Sequence, residues 1–105
     1  MDRTNRSPGF AAAFKALGDP TRLKILDLLK ARGRSCCDLV GRDEVGLCAC
    51  DVEREVGLSQ ASISHHMAIL RRAGLVRAEK RGRWVYYARD EEGIAGLARA
   101  LAKAV

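Results

Sequence analysis

Two thiols stand two residues apart in Leu47-Cys48-Ala49-Cys50-Asp51, and an adjacent pair, Cys36-Cys37, lies ten residues upstream. Thiolate sulfur is a soft donor, so such a cluster can hold a soft metal or metalloid, or can oxidise reversibly to a disulfide. In a regular helix residues i and i+2 point about 200° apart. Cys48 and Cys50 therefore converge on one ion only if the backbone is unwound between them. Ligation would then distort the start of the helical segment that follows, Asp51 to Val56, and a ligand there would oppose any activity that needs that helix intact.

The second group of residues with chemical potential is polar and basic. Gln60, Ser62, Ser64 and His65 crowd the beginning of a helical stretch, and each can donate or accept at a base edge. Arg71, Arg72, Arg77, Lys80, Arg81 and Arg83 then fall within thirteen positions that contain one acid, Glu79. The whole chain carries 19 Lys and Arg against 13 Asp and Glu, a formal charge of +6. A surplus concentrated in this way suits an acidic polymer better than a uniformly solvated surface. Trp84, Tyr86 and Tyr87 alternate along a strand, which fits packing of the strand on the body better than a base-stacking platform.

These residues need elements to hold them. A chain of 105 residues makes one domain with a modest core, which a dimer would enlarge. Residues 1–9 read as a flexible N-terminal segment, and residues 10–105 as the folded domain. Phe10, Phe14 and Leu17 recur at helical spacing up to Gly18. Asp19-Pro20 starts a second helix, with Asp19 as cap and Pro20 in the first turn. Leu23, Ile25, Leu26, Leu28 and Leu29 cover most of its circumference, so burial on several sides is expected before Gly33 ends it. Residues 33–46 read as a loop. A short helix to Val56, a turn at Gly57-Leu58-Ser59 and a helix from Ala61 to Ala73 follow, with Ser59 as cap.

At 100° per residue Ile63, Met67 and Leu70 share one face of that helix, while Ala61, Ser64, His65, Ala68 and Arg72 take the other. His66 falls at the edge of the apolar face, as a packed or backbone-bonded residue. Leu75 to Lys80 and Trp84 to Arg89 flank Arg81-Gly82-Arg83 as a hairpin, and a last helix spans Glu91 to Lys103. The expected fold is mainly α with a β-hairpin wing, a winged helix-turn-helix. Its second helix would enter the major groove, and Lys80, Arg81 and Arg83 on the wing would meet phosphate or minor groove. DNA contacts are thus expected from Gln60, Ser62, Ser64, His65, Arg72, Lys80, Arg81 and Arg83. The N-terminal residues Met1 to Arg6 lack an apolar stretch and no apolar run reaches bilayer length, so a cytoplasmic protein with no membrane partner and reduced thiols is expected. Cys-x-Cys is not the Cys-x-x-Cys redox spacing, and the acids, bases and nucleophiles do not converge on an enzyme.

Four stretches carry a family resemblance: Gly18 to Leu26 (Gly-Asp-Pro-Thr-Arg-Leu-Lys-Ile-Leu), Leu47 to Val52 (Leu-Cys-Ala-Cys-Asp-Val), Leu58 to Val76, and Gly82 to Tyr87 (Gly-Arg-Trp-Val-Tyr-Tyr). In this order they resemble the ArsR/SmtB family of metalloregulatory repressors, over roughly residues 10–90. The resemblance implies a homodimer built through the first and last helices, here Phe10 to Leu17 and Ile94 to Leu101, on double-stranded operator DNA with inverted symmetry. It implies no cofactor for DNA binding and release by an inducer. Similarity to the arsenite-responsive members implies trivalent arsenic or antimony, As(III) or Sb(III), held by three thiolates. The chain departs from their usual pattern, since Glu53 stands where a third cysteine would follow Cys50. Cys36 or Cys37, or both, then complete a site with Cys48 and Cys50, across a loop that Gly41 and Gly46 make easy to close.

Other readings use the same residues. The four thiols could hold cadmium, lead or zinc tetrahedrally. Cadmium and lead sensors of the family draw cysteines from an N-terminal extension, and the first nine residues here contain none. Zinc and nickel sensors use histidines on the last helix, which here has none. A redox sensor would instead join two of the four cysteines in a disulfide. In an architectural DNA-binding protein, or if Cys36 and Cys37 are only reduced and partly buried, the thiols would be bystanders.

Overall fold

The computed structural model describes residues 8–31 and 46–104. Segments 1–7 and 32–45, which include the end of the second helix at Gly33, the loop and Cys36 and Cys37, lie outside the described residues. The described elements are five helices and three strands. Helix α1, Pro8–Leu17, begins within the segment expected to be flexible. It closes where the Gly18 N–H donates to the Lys15 carbonyl at 3.1 Å.

Helix α2, Pro20–Ala31, starts as its sequence dictates. The Asp19 carboxylate accepts from the Arg22 N–H at 3.1 Å, satisfying one of the orphan donors of the first turn. Ile25, Leu26 and Leu29 enter the core, but Leu23 is half exposed, so the apolar circumference is not buried all round.

Strand β1, Leu47–Cys48, is the element that the sequence pattern misses. Two residues show no periodicity from which a strand can be read. It is held by Gly46, whose φ of +109° is open to glycine, and a Cβ there would stand 2.2 Å from the Tyr87 carbonyl oxygen. Helix α3, Ala49–Val56, follows at once and ends on Gly57 in the left-handed region. Helix α4, Gln60–Arg72, is capped by the Ser59 hydroxyl, which accepts from the Ser62 N–H at 3.2 Å. Ile63, Met67 and Leu70 are its buried residues, as their spacing requires.

Strands β2, Val76–Arg81, and β3, Trp84–Arg89, form an antiparallel hairpin turned through Gly82-Arg83. Arg81 therefore belongs to the strand and faces Trp84, one position inside the expected tip. The sheet order is β1-β3-β2, with Leu47 opposite Tyr87 and Cys48 opposite Tyr86. Helix α5, Glu91–Ala104, is capped by the Asp90 carboxylate, which accepts from the Gly93 N–H at 3.0 Å. A Cβ at Gly93 would lie 1.8 Å from the Gly74 carbonyl, so the end of the α4 unit and the start of α5 touch backbone to backbone.

One core joins these elements: Ala16 of α1, Ile25 and Leu29 of α2, Leu47 of β1, Val52 of α3, and the three buried residues of α4. Helix α1 packs on α2, α4 and α5. In the single chain α5 buries no residue fully, and Phe14 and Leu101 remain 37% and 38% exposed. Phe10 and Phe14 meet edge to face at 4.9 Å.

Candidate DNA interface and adjoining thiol pair

Cys48 is the N-cap of α3, with φ −64° and ψ 145°. That extended backbone, placed one residue before the helix, turns the Cys48 side chain towards Cys50. The Cys50 thiol donates to the Cys48 sulfur at 3.3 Å. The condition that helix geometry sets is met: α3 begins at Ala49, and Cys48 lies in extended backbone before it, so the two sulfurs approach with the helix intact. Cys48 is 1% exposed and packs with Tyr86, while Cys50 and Trp84 flank that small cluster. Among the described residues both thiols are free of disulfide bonds.

The spacing bears on what the pair can hold. With sulfur bonds of about 2.3 Å, two ligands lie about 3.8 Å apart at a tetrahedral angle and about 3.3 Å apart at a right angle. The separation of the two sulfurs, 3.3 Å, lies within the reach of one shared ligand. Among the described residues no third His, Cys, Asp or Glu completes a metal-binding group with them. Asp51 is adjacent but wholly buried, and its carboxylate accepts from the Arg54 guanidinium. Glu53 is half-buried on the same helix.

Beyond α3 the polar face of α4 is open. Gln60, Ser64, His65 and Arg72 are exposed. Ser62 is half-buried, and its hydroxyl accepts from Ser59 at 3.2 Å within the cap, so this side chain serves the helix start. On the wing Lys80 is exposed, Arg83 lies over the Trp84 ring at 5.2 Å, and Arg81 donates to Glu79 at 2.7 Å. The expected DNA-reading residues thus fall in two groups, helix and hairpin, of which Ser64 and Lys80 line a common groove. Between the groups runs an open groove of ≈ 380 Å³ lined by Ser64, Ala68, Arg71, Lys80 and Tyr87, with Met67 and Val85 at its base. Burial raises the Tyr87 hydroxyl above its ordinary pKa of 10.0, the Arg71 charge opposes that rise, and Glu53 adds to it.

His66 is packed, as expected from its angular position, but its partner is a side chain. Its Nδ1 lies 3.1 Å from Arg22 Nη1 and 4.0 Å from the Asp19 carboxylate. Arg22 Nε also donates to the Ala16 carbonyl at 2.8 Å, tying the end of α1 and the start of α2 to the DNA-reading helix. Sequence reading misses this node because its members are 44 residues apart. A cation in the first turn of a mostly buried helix was the available signal.

A short helix, a tight turn, a capped helix with a small polar outer face and a basic hairpin beside it define a winged helix-turn-helix DNA-binding regulator. The chain belongs to the arsR family of bacterial regulatory proteins, whose sequence profile matches residues 42–78. It is 40% identical over 87 residues to an uncharacterised HTH-type transcriptional regulator of Bacillus subtilis, covering 81% of this chain and 87% of the relative. The arsenical resistance operon repressor of Bacillus subtilis is 34% identical over 84 residues, with 80% and 69% covered. A cadmium resistance transcriptional regulatory protein homolog of Staphylococcus aureus is 37% identical over 87 residues, with 83% and 62% covered. A homodimeric winged helix-turn-helix DNA-binding domain from Mycobacterium bovis, a possible ArsR-family regulator, superimposes with a TM-score of 0.70 at 25% identity, covering 99% of this chain and 86% of that one. The protein is accordingly a DNA-binding transcriptional regulator and not an enzyme. Among the described residues no helix is long and apolar enough to cross a membrane.

Proposed function

We propose that this regulator is a homodimeric repressor of quasi-palindromic operator DNA in the reducing cytoplasm, released when trivalent arsenic or antimony binds Cys48, Cys50 and a third thiolate from Cys36 or Cys37. The observation that carries the reading is the 3.3 Å separation of the Cys48 and Cys50 sulfurs at the entrance to the helix-turn-helix. Two neighbouring thiols suit a soft, formally trivalent centre, whose charge three thiolates would neutralise. The likeness to an arsenical resistance repressor supports the same inducer.

DNA is read by Gln60, Ser64 and His65, with Ser62 at the helix start, and held by Arg72, Lys80, Arg81 and Arg83. Dimerisation covers the exposed Phe14 and Leu101, and a two-fold axis then pairs the two recognition helices on an inverted repeat. Inducer capture adds Cys36 or Cys37 to the pair at α3. Because Cys48 is laddered to Tyr86 of the wing strand, a displacement of Cys48 on ligation is felt by the hairpin and by α3 together. Inducer and operator then oppose each other by linkage.

Arsenite added to the reduced protein is expected to bind once per chain, with a first shell of three sulfurs by X-ray absorption at the arsenic edge. Cys48→Ser or Cys50→Ser should lower the sulfur count, and so should loss of whichever of Cys36 and Cys37 contributes. An oxygen shell, or one unchanged in both Cys48→Ser and Cys50→Ser, would contradict the assignment. The cadmium resistance relative supports a second reading, a tetrahedral divalent site. A four-sulfur cadmium shell that releases DNA where arsenite does not would favour it.

A further inference from the structure

The groove between α4 and the wing is lined by a cation, Arg71, that the DNA-reading residues named above leave unused. Arg71 is exposed and lines this groove together with Ser64, Lys80 and Tyr87. It also lines a second groove, of ≈ 360 Å³, together with Arg77 and Glu79 of the edge strand β2. Arg71 and Ala78 are the residues common to both grooves, and Arg71 is the charged one.

Arg81 is matched to Glu79, Arg89 to Glu91 and Arg54 to Asp51, so their charges are offset within the protein. Arg71, in common with Arg72, Arg77 and Lys80, forms no ion pair among the described residues, and what distinguishes it is its place in both grooves. Ser64 and Tyr87 line the same groove, and a tyrosine hydroxyl is protonated near neutral pH and can donate. Two cations and two hydroxyls around one open groove form a donor set that matches an oxyanion with several acceptor oxygens.

We infer that Arg71, with Tyr87 and Lys80, is a phosphate clamp that holds one DNA backbone strand in the groove between the recognition helix and the wing. The inference rests on the DNA-binding face described above and is independent of the identity of the inducer. The clamp sets register: with a phosphate fixed between them, α4 cannot slide along the groove relative to the hairpin, and base-reading residues near its N-terminus meet defined positions. The clamp itself carries no sequence information, so its loss weakens all duplexes alike.

The test is binding of the full-length reduced protein to a fluorescent mixed-sequence duplex of about 30 base pairs over a series of salt concentrations, read by anisotropy. Arg71→Gln keeps the side-chain stem and removes the charge. It is expected to weaken binding roughly tenfold and to make the slope of log K against log salt shallower by about 1 per chain. Arg71→Lys should keep the slope, and Tyr87→Phe should weaken binding while leaving the slope unchanged, because it removes a neutral donor. Arg72→Gln and Arg83→Gln are measured in parallel. If they flatten the slope and Arg71→Gln does not, the clamp is overturned while the DNA face stands. If none of the three flattens it, the DNA face itself is wrong. An exposed residue on α2, changed as Lys24→Gln, should leave both affinity and slope unaltered, and an equal loss there would reduce the Arg71 effect to net charge and overturn the clamp.

Discussion

Ser59 shows how much of the DNA-reading unit is decided by single side chains. Its hydroxyl accepts from the Ser62 N–H and donates to the Ser62 hydroxyl, so one residue satisfies an orphan donor of α4 and restrains a candidate base reader. Ser59→Ala is expected to lower stability by about 1 kcal/mol in a denaturant melt. Ser59→Asp should recover that stability, yet weaken DNA binding by setting a negative charge beside phosphates. Equal midpoints for Ser59→Ala and the unmodified protein would mean that the cap contributes nothing. Cys48 depends on neighbours in the same way. Its extended φ and ψ, not its identity, let the two sulfurs meet, and a helix beginning one residue earlier would have separated them.

At the scale of elements, helices long enough to show a period were legible in the sequence. The faces of α4, the capping of α2 by Asp19 and the bounds of β3 follow from side-chain spacing and turn chemistry, and the structure reproduces them. Two features did not follow. Leu23 was expected inside and lies half exposed, because apolar residues around most of a helix do not state which of them has a neighbour. Strand β1 was not foreseen, and Cys48 fell with the start of the helix, because the two residues of β1 form a strand only through pairing with β3, about forty positions away. The thiol site was legible in composition and not in geometry for that same reason. Gly46 is the exposed weakness of this arrangement. Gly46→Ala adds a Cβ against the Tyr87 carbonyl at a positive φ, and is expected to cost roughly 2–4 kcal/mol. The loss should appear as hydrogen exchange at Leu47, Cys48 and their β3 partners before global unfolding. Unchanged protection there would show that β1 does not hold the thiols to the wing.

For the whole molecule the decisive relation is between the DNA-reading surface and the thiol pair proposed to hold the inducer. The pair opens α3, α3 packs on α4, and β1 pairs with the wing strand, so the proposed inducer site adjoins both parts of the DNA-reading surface. The backbone contact of Gly93 with Gly74 carries the same unit to α5, one of the two helices that would meet across a dimer axis. A ligand at the thiols therefore has a structural route to both groove contacts and half-site spacing, and opposition between inducer and operator needs only that their preferred arrangements differ. The most direct test is an arsenite titration of the reduced protein bound to a labelled quasi-palindromic duplex that it has selected from a random pool, followed by anisotropy. The account expects release of the duplex by the unmodified protein, and retention by a Cys50→Ser protein that binds the same duplex with undiminished affinity. Retention by the unmodified protein at saturating arsenite, or equal release by the Cys50→Ser protein, would contradict it.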